Sequence, residues 1–505
     1  MKRTVGVWAL LAGMAGSTHA QMPAPAKGPT VSSAAVRFEL APLRVEPAVK
    51  KALDGVSAEQ VQADIAKLVS FGTRSTLSSM DTELPQGQGI LPAADWITSE
   101  FEAISKECGG CLEVKRDEFV QPASHDARSR VTQSTKLVNV YAILHGVGGE
   151  KAPWVLVTGH YDSRATDVMN GKLTSPGAND DASGVVVSLE SARAMARLTK
   201  AGVRLAGTMV FVAVAGEEQG LLGSAHLAKL AKAAGWPLEA VLNNDIVGGD
   251  TTPGETGQQK DVVRVFSESI PATATPEEQQ MTLGLGAEND SPSRQLARQI
   301  VELAPAYFKP TTERPAALKG GMRSQVMRQV PAFRPVMILR RDRYLRGGDH
   351  SSFNAEGFTA VRFTEWRENY DHQHQTLRTE NGVEYGDLLK FVDFAYVAKV
   401  AQLNALAMAS LAAAPSEPQH VRIVTKELDN NSNLGWDAAA FAPAGTTYEV
   451  VWRDTDENLW THSQSAGVET HLMLNVSKDN VLFGVRAVSA AGDRSLAVAP
   501  VPARK

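Results

Sequence analysis

The chain has 505 residues, of which 43% are hydrophobic and 21% are charged. These proportions allow a large apolar core and exclude disorder of the whole chain, and the length predicts two to four domains at roughly 100–200 residues each. The formal net charge of −5 argues against nucleic acid or an anionic membrane as the main partner, because both attract basic surfaces.

The N-terminus has the three parts of an export signal. Lys2 and Arg3 are basic, residues 4–16 are mostly apolar, and the sequence THA at 18–20 puts small residues where a signal peptidase cleaves. A membrane anchor needs about 20 apolar residues, and this stretch is shorter. We therefore predict a signal peptide over residues 1–20, no integral membrane segment after its removal, and a periplasmic or secreted protein.

The two cysteines of the chain, Cys108 and Cys111, stand in the sequence Cys-Gly-Gly-Cys. A pair at this spacing is typical of half a zinc site or of a redox motif, but the sequence has no second cysteine pair to complete a zinc site. In an oxidising compartment, two close cysteines form a disulfide. We therefore predict a local structural disulfide.

From residue 57 onward the hydrophobic pattern is that of an α/β domain. Short apolar runs alternate with helical periodicity, and the run TMVFVAVA is typical of a strand buried on both faces of a mostly parallel sheet. We expect an α/β fold, a mostly parallel mixed sheet sandwiched by helices, over residues 57–412, preceded by a leader or pro-segment at 21–56. The predicted elements are helices near Ala58 and Trp96, strands at 137–144 and 154–158, a helix at 182–198, strands at 208–215, 241–245 and 360–363, and a helix at 388–411.

A second region follows the Ala- and Pro-rich segment 412–418, which is predicted to be an exposed linker. Beyond it apolar residues recur at every second position, as at Tyr448, Val450 and Trp452, which is typical of strands. Residues 419–505 are therefore predicted to form a small all-β sandwich that is separable from the first domain. Its pattern resembles a fibronectin type III domain.

Side chains that can bind a metal follow the predicted strands, where open α/β sheets place their functional sites. Each of them alone is a weak indication, because paired acidic residues usually lie in solvated loops and a lone histidine is usually structural. Carboxylates and imidazoles are, however, ligands that Zn²⁺ accepts in proteins. The candidates are His160, Asp162, Asp180, Glu217, Glu218, Asp245, His372 and His374. Their occurrence after successive elements predicts one shared site.

Several short motifs lie at these positions: GHYDS at 159–163, PGANDDASG at 176–184, GEEQG at 216–220, Asn244-Asp245, and GDHS at 348–351. Together they resemble the motifs of the co-catalytic di-zinc aminopeptidases of peptidase family M28, and the resemblance covers about residues 57–411. It implies a zinc-peptidase fold, two zinc ions and the hydrolysis of peptide bonds.

The resemblance also implies a role for each ligand. Asp180 would bridge the two zinc ions. His160 and Asp245 would complete one metal position, and Glu218 with a histidine from the C-terminal part would complete the other. Glu217 would stay unligated and act as the general base for the attacking water.

Two further features concern the residues next to these ligands. Asp162 lies two residues after His160 and is predicted to accept the ring N–H of that histidine, an arrangement that orients metal-binding imidazoles. The family also implies a cis peptide bond between Asp180 and Asp181.

Two histidines compete for the last ligand position. In the family the ligand precedes an Asp-Thr pair, whereas in this chain Thr379 fits the pattern and Arg378 replaces the acid. We predict that His374 is the ligand, with His372 as the alternative. His350 is predicted to be structural.

The arginines between residues 334 and 346 follow a segment, 250–335, in which the pattern predicts little. We expect them to be solvated side chains on an edge strand, the alternative being that they bind a substrate carboxylate. Tyr344 stands close to the place where relatives can carry a tyrosine that stabilises the tetrahedral intermediate. Because its spacing is one residue off, we expect a packed or solvated side chain.

The sequence therefore predicts an exported, zinc-dependent exopeptidase acting on peptide substrates, with an aminopeptidase favoured. The first alternative is a carboxypeptidase or a glutaminyl-cyclase-like enzyme on the same fold, although cyclases resemble a single-zinc variant of the site. The second is a non-catalytic binding protein, against which the complete ligand set argues. The sequence specifies neither the preferred substrate residue nor the oligomeric state.

Overall fold

The computed structural model describes residues 40, 42–124, 126, 128–313, 327–426 and 429–503. The predicted signal peptide at 1–20 and residues 21–39 of the predicted leader lie outside the described residues. The remainder of that leader is described from residue 42 onward and contains the first helix.

Helices cover both faces of a central sheet. In chain order they are α1 (Pro47–Leu53), α2 (Ala58–Val69), α3 (Ile90–Glu107), α4 (Ser183–Lys200), α5 (Leu222–Ala233), α6 (Pro276–Leu285), α7 (Pro292–Tyr307), α8 (His350–Ala355) and α9 (Phe394–Ala413). Short 3₁₀ turns lie at Thr76–Met80 and Leu389–Phe391, and an irregular turn lies at Ala178–Ala182.

The central sheet has eight strands in the order β1-β2-β4-β3-β5-β10-β6-β9. Strands β4, β3, β5 and β10 run parallel to one another, and antiparallel pairs flank them on both sides. The strands are β1 (Glu113–Gln121), β2 (Thr135–Leu144), β3 (Trp154–His160), β4 (Thr208–Val214), β5 (Leu238–Asn244), β6 (Val262–Ser267), β9 (Arg334–Ile338) and β10 (Ala360–Glu365). Two short hairpins lie outside it, formed by β7 (Thr311–Glu313) with β8 (Arg328–Val330) and by β11 (Arg378–Glu380) with β12 (Val383–Tyr385).

The packing of strand β4 explains why its sequence is apolar from Met209 to Val214. Phe211 and Ala213 pack into the larger apolar layer with α4 and α9, whereas Val210 and Val212 pack on the opposite face with Leu227 of α5. Side chains alternate along a strand, so a strand covered on both faces needs apolar residues throughout. The predicted fold class, a mixed sheet sandwiched by helices, is confirmed.

A close approach between strand β3 and helix α4 requires two glycines. A Cβ atom on Gly159 would collide with the backbone of Gly184 and Val185, and one on Gly184 would collide with the carbonyl oxygen of Asn244. The glycines therefore let the start of α4 lie directly against the ends of β3 and β5, next to the turn that carries Asp180.

The chain order places the site at the carboxyl end of the parallel strands. After β3 the chain forms β4 on one side of it, and then β5 on the other. Such a change of direction leaves a crevice at the strand ends, where α/β proteins bind their ligands. The residues that follow β3, β4, β5 and β10 consequently meet there.

Both ends of the first domain differ in detail from the predicted elements. Helix α1 lies before the predicted start at residue 57, and Leu53 is fully buried in the main core. The predicted helix at 388–411 begins later, at Phe394, because the Asp393 side chain caps the helix by accepting a hydrogen bond from the backbone N–H of Tyr396. Helix α9 is long and apolar enough to span a membrane, but 72% of it is buried inside the fold, as in the core helix of a globular protein.

The C-terminal region forms two small sheets, in the orders β17-β14-β13-β19 and β16-β15-β18. The strands are β13 (Gln419–Val424), β14 (Ser432–Asp437), β15 (Thr447–Asp454), β16 (His462–Gly467), β17 (His471–Leu474), β18 (Val481–Val488) and β19 (Val501–Ala503). Of the side chains that the alternating pattern predicts to be internal, Val450 and Val485 are fully buried, whereas Leu472 is only partly buried. These two sheets are consistent with the predicted separate β region after residue 418.

The segment between the two regions is buried, so the prediction of an exposed linker is wrong. Ala414 is 1% and Ser416 4% exposed, and Ser416 donates its backbone N–H to the carbonyl oxygen of Phe441. The described residues from 40 to 503 belong to one compact unit. Alanine and proline are typical of linkers, but they are also small enough to lie between two packed surfaces, and composition alone does not separate the two cases.

The predicted disulfide is confirmed. Cys108 and Cys111 are bonded at the end of α3, with their Cα atoms 5.6 Å apart. Both side chains pack against the main apolar core.

Candidate metal centre

Six of the predicted ligand and base residues lie together at the carboxyl ends of the parallel strands. Their potential ligand atoms form two groups, and within each group all atoms lie within 4.8 Å of one another. The first group is His160, Glu217 and Asp245, and the second is Asp180, Glu218 and His374. The fold therefore brings together residues that are separated by more than 200 positions in the sequence.

Asp180 lies between the two groups. Its Oδ1 is 3.2 Å from Nε2 of His160, and its Oδ2 is 3.0 Å from Nε2 of His374. The first histidine also faces Asp245, with 3.8 Å between Nε2 and Oδ1, and the second faces Glu218, with 2.9 Å between Nε2 and Oε1. Ligands of one tetrahedral ion, bound at about 2.0–2.2 Å, are separated by similar distances.

The structure separates the two competing histidines. His374 faces Asp180 and Glu218, whereas the His372 ring stacks on Phe391 with 3.8 Å between ring centroids. Nδ1 of His372 lies 3.3 Å from Oδ1 of Asp250, so this side chain is engaged away from the centre. His374 itself has a backbone φ of 58°, a left-handed conformation that is uncommon outside glycine.

Asp162 differs in detail from the prediction. Nδ1 of His160 is nearer to the backbone oxygen of Asp162, at 3.1 Å, than to the carboxylate, at 3.5 Å. The carboxylate instead accepts the backbone N–H groups of Glu217 and Glu218, at 3.2 and 3.0 Å, and the hydroxyl of Thr76. Asp162 therefore orients both the histidine and the Glu-Glu turn.

The turn that carries Asp180 is held by acidic residues that the sequence analysis does not assign. Asp387 accepts the backbone N–H groups of Asn179 and Asp180, at 2.9 and 2.7 Å. Asp181 accepts those of His160, Gly184 and Ile246. The Asp180–Asp181 peptide bond is cis, as the family resemblance predicts.

A buried arginine also holds the turn that carries Asp180. Arg74 is 1% exposed and donates to the carbonyl oxygens of Tyr161, Pro176 and Gly177, at 2.5–2.8 Å. Burial lowers its pKa to about 10, so it remains charged at neutral pH. The residue lies in a short connection without periodicity, and no sequence signal separates it from a solvated arginine.

The centre concentrates negative charge. Burial and the nearby carboxylates raise the pKa of Glu217 well above its usual value, and burial raises that of Asp349 to about 7. Burial by itself lowers the pKa of His374, but the carboxylates of Glu218 and Asp180 outweigh it and raise the pKa to about 10. Both effects indicate a site that lacks positive charge.

Buried polar atoms that make no hydrogen bond point to the same conclusion. Among the described residues, Nε2 of His160 and Oε1 of Glu218 are buried and make no hydrogen bond. Buried polar atoms are almost always satisfied in proteins, so these atoms are suited to a ligand that carries positive charge. Carboxylate and imidazole donors in this number fit zinc ions.

Other residues named from the sequence lie outside the two groups. His350 is fully buried, and its Nε2 lies 3.0 Å from the backbone oxygen of Arg341, which fits a structural role. Tyr344 is 76% exposed. Strand β9 is an edge strand, as predicted for the arginine-rich segment, although Arg343 is largely buried against Glu368 at 2.9 Å.

The sequence profile of peptidase family M28 matches residues 139–294. A probable zinc metalloprotease of Pyrenophora teres f. teres is 41% identical over 471 residues, which cover 93% of this chain and 90% of that protein. The chain belongs to peptidase family M28. A second relative, a probable zinc metalloprotease of Pyricularia oryzae, is 42% identical over 460 residues, covering 90% of this chain and 84% of that protein.

Solved structures are similar to this M28 chain at lower identity. The LapA aminopeptidase of Legionella pneumophila is 18% identical with a TM-score of 0.45, and the match covers 77% of each chain. A glutaminyl cyclase of Porphyromonas gingivalis is 17% identical with a TM-score of 0.42, covering 70% of this chain and 98% of that one.

Proposed function

We propose that the chain is an exported, zinc-dependent aminopeptidase that holds two zinc ions and acts on peptides. The observation that carries the proposal is the position of Asp180, whose two carboxylate oxygens face His160 and His374 separately. Two cations a few ångströms apart repel each other, and a shared carboxylate offsets that repulsion. The probable zinc metalloproteases among the relatives support zinc as the metal.

Each ion would have its own set of side chains. His160 and Asp245 would hold one ion with Oδ1 of Asp180, and His374 and Glu218 would hold the other with Oδ2. When bound, the zinc ions would supply Lewis-acid activation of the scissile carbonyl and of the attacking water.

Glu217 would act as the general base. It would take a proton from the attacking water and pass that proton to the amine of the leaving peptide, so that one carboxyl group serves both steps. The two carboxylates fall in different groups of potential ligand atoms, Glu217 beside His160 and Asp245 and Glu218 beside Asp180 and His374, so Glu217 could serve the attacking water while Glu218 binds metal. Asp162 would keep this arrangement by holding both backbone N–H groups.

Export rests on the sequence of residues 1–20 and agrees with the disulfide between Cys108 and Cys111, because such bonds persist in oxidising compartments. We assign the protein to the periplasm or the exterior. The C-terminal β region would be an accessory module of the fibronectin type III kind.

A carboxypeptidase is the second candidate, because two guanidinium groups lie next to Glu218. Arg130 donates to its backbone oxygen at 2.7 Å, and Nη1 of Arg164 is 3.9 Å from its Oε2. Arginine pairs bind carboxylates well, and a carboxypeptidase must bind the α-carboxylate of its substrate. An aminopeptidase must instead bind a free α-amine.

A substrate panel separates these activities. The purified full-length protein is assayed with aminoacyl arylamides, with N-blocked peptides that keep a free C-terminus, and with peptides that begin with glutamine. We expect hydrolysis of the arylamides, its loss on chelation and its recovery on adding zinc. Hydrolysis of the N-blocked peptides alone would establish the carboxypeptidase, and cyclisation without hydrolysis would establish the cyclase.

A further inference from the structure

A buried arginine lies against one of the two metal positions. Arg362 in strand β10 has no exposed surface, and its Nη2 is 2.9 Å from Oδ1 of Asp245. Arginine is rarely buried unless it is paired, so this contact is the main compensation for the charge. The guanidinium is fixed further by Nη1 donating to the carbonyl oxygen of Gly347 and Nε donating to the hydroxyl of Thr364, both at 2.9 Å.

The arginine also holds the backbone of the same ligand. Thr364 donates its hydroxyl to the backbone oxygen of Asp245 at 3.0 Å, and Nη2 of Arg362 lies 3.4 Å from that oxygen. On its far side, Nη1 of Arg362 is 3.3 Å from Oδ2 of Asp342. The side chain therefore has one fixed position, between Asp245 and Asp342.

The other metal position has no equivalent. Among the arginines and lysines of the described residues, Arg164 lies nearest to the Glu218 carboxylate, with 3.9 Å between Nη1 and Oε2 and a side chain that is 15% exposed to solvent, whereas Arg130 contacts the backbone oxygen of Glu218. The shared ligand Asp180 accepts a hydrogen bond from the neutral amide of Gln373 at 3.1 Å. A direct contact with a fully buried cation is thus found at Asp245 and not at Glu218.

This difference changes how strongly each position attracts a cation. A carboxylate that shares its negative charge with a guanidinium offers less charge to a metal ion, and a buried cation next to the site repels the incoming ion. Both effects are larger in a buried site than in water, because solvent screens the charges less. Residues behind the ligands typically change metal affinity 10–100-fold.

We propose that Arg362 makes the two metal positions unequal, lowering the affinity of the His160/Asp245 position for a divalent cation relative to the Glu218/His374 position. This inference rests on the proposed function, since it requires two metal positions. When zinc is scarce, the Glu218/His374 position fills first and the His160/Asp245 position stays open to exchange. Arg362 is a positioning residue, because it acts on the metal only through Asp245.

Direct zinc titration tests the proposal. Chelator-stripped, full-length protein is titrated with zinc in competition with a coloured chelator, and folding of each variant is checked by circular dichroism. The wild-type protein should bind two equivalents whose affinities differ at least tenfold. Arg362→Met should raise the weaker affinity by roughly 10–100-fold and so narrow the gap between the two affinities. Arg362→Lys, which keeps the charge, should leave this gap wide.

A second variant has the opposite sign and does not remove the arginine. Asp342→Asn keeps the shape of the side chain but leaves more positive charge of Arg362 to act on Asp245, so the weaker affinity should fall further and the gap should widen. If Arg362→Met does not fold, Asp342→Asn and Arg362→Lys decide the question. The matched control is Arg164→Met, which removes the arginine near Glu218. It should change the zinc affinity of the tighter Glu218/His374 position and not that of the weaker His160/Asp245 position.

The outcomes against the proposal are distinct. Equal affinities in the wild-type protein, or a gap that Asp342→Asn leaves unchanged, would overturn the role of Arg362 while leaving two zinc ions in place. An Arg362→Met protein that folds and binds the weaker equivalent less tightly would also overturn it. A single equivalent in the wild-type protein would instead contradict the proposed function and, with it, this inference.

Discussion

The metal centre and the contact between the segment at helix α7 and the C-terminal β region both bury charge, and they balance it differently. At the contact, opposite charges are paired within the chain. Nη2 of Arg453 lies 2.9 and 3.1 Å from the two carboxylate oxygens of Asp290, and Arg486 bonds both Glu449 and Glu302, at 2.6 and 3.1 Å. In the metal centre, carboxylates converge with fewer cations among them.

The difference distinguishes structure from function. A buried charge with a well-placed partner needs nothing further, whereas a buried excess of one sign requires an added ion or protonation. Oε1 of Glu218 is a buried carboxylate oxygen without a hydrogen bond among the described residues, whereas both oxygens of Asp290 accept from Arg453. At the contact, Nε and Nη1 of Arg453 are also buried without a hydrogen bond, but they belong to a cation beside its paired carboxylate. The excess of carboxylates therefore predicts a cation site at the metal centre, and the paired charges predict a structural contact at α7.

The largest effect is expected at Glu217. Glu217→Gln keeps the size of the side chain but removes the oxygen that accepts the proton, so turnover should fall by about 10²–10⁴-fold while both zinc ions stay bound. Steady-state kinetics and metal analysis of the same preparation measure the two quantities. Glu218→Gln is the matched control, and it should lose zinc as well as activity. Exchange of these two results would show that the neighbouring roles are reversed.

The next effect separates the two histidines. His374→Ala removes an imidazole that faces Asp180 and Glu218, so about one zinc equivalent should be lost on mild dialysis, together with activity. His372→Ala breaks the stacking on Phe391 but should keep about two equivalents. Atomic absorption on both variants checks the expectation, and zinc loss from His372→Ala alone would reverse the assignment.

Breaking the buried ion pair between Asp290 and Arg453 should lower the stability of the fold and leave its metal content unchanged. Asp290→Asn leaves the Arg453 charge buried without its anion, and we expect a loss of about 3–5 kcal/mol in the free energy of unfolding, measured with denaturant. Asp437→Asn, at the exposed pair with Arg422, should have no measurable effect. Unchanged stability of Asp290→Asn would mean that the contact is incidental and that the C-terminal region is separable, as the sequence predicts.

The smallest effect is a pH dependence beside the buried connecting segment. Burial raises the pKa of Glu239 to about 7, and burial together with Glu239 raises that of Glu417 to about 8. The usual value is 4.5, so between this value and pH 8 the folded chain holds protons that the unfolded chain has released, and stability falls as the pH rises. Glu417→Gln should raise the melting temperature at pH 8 by roughly 1–3 °C and leave it unchanged at pH 4.5. The control Glu457→Gln, at an exposed position, should change the melting temperature at neither pH. An equal change in the melting temperature of Glu417→Gln at both pH values would contradict this account.

Part of the fold is predictable from the sequence because its central strands are continuous apolar runs. The strand Thr208–Val214 is apolar from Met209 onward, and it is buried at every position. The burial of the connecting segment was not predictable, because Ala414 and Ser416 carry no signal that distinguishes a packed segment from an exposed one. The contact depends on Asp290 and Arg453, which are 163 residues apart and look like ordinary surface residues in the sequence.

The metal centre is likewise predictable from the sequence only in part. Residues at strand ends, such as His160 and Asp245, are predictable because parallel strands end at one edge of the sheet. The residues that hold them are not, since Arg74, Arg362 and Asp387 become significant only when distant segments meet. Arg362 alone left a trace in the sequence, as an arginine within the predicted strand at 360–363, whose other residues are apolar.

Diffraction at the zinc absorption edge tests the central claim most directly. Crystals of the full-length protein grown with zinc should show two anomalous peaks on either side of the Asp180 carboxylate, roughly 3.5–4 Å apart. One peak should lie next to His160 and Asp245, and the other next to His374 and Glu218. A single peak at full zinc saturation, or two peaks that do not share Asp180, would contradict the account of a bridged two-metal centre.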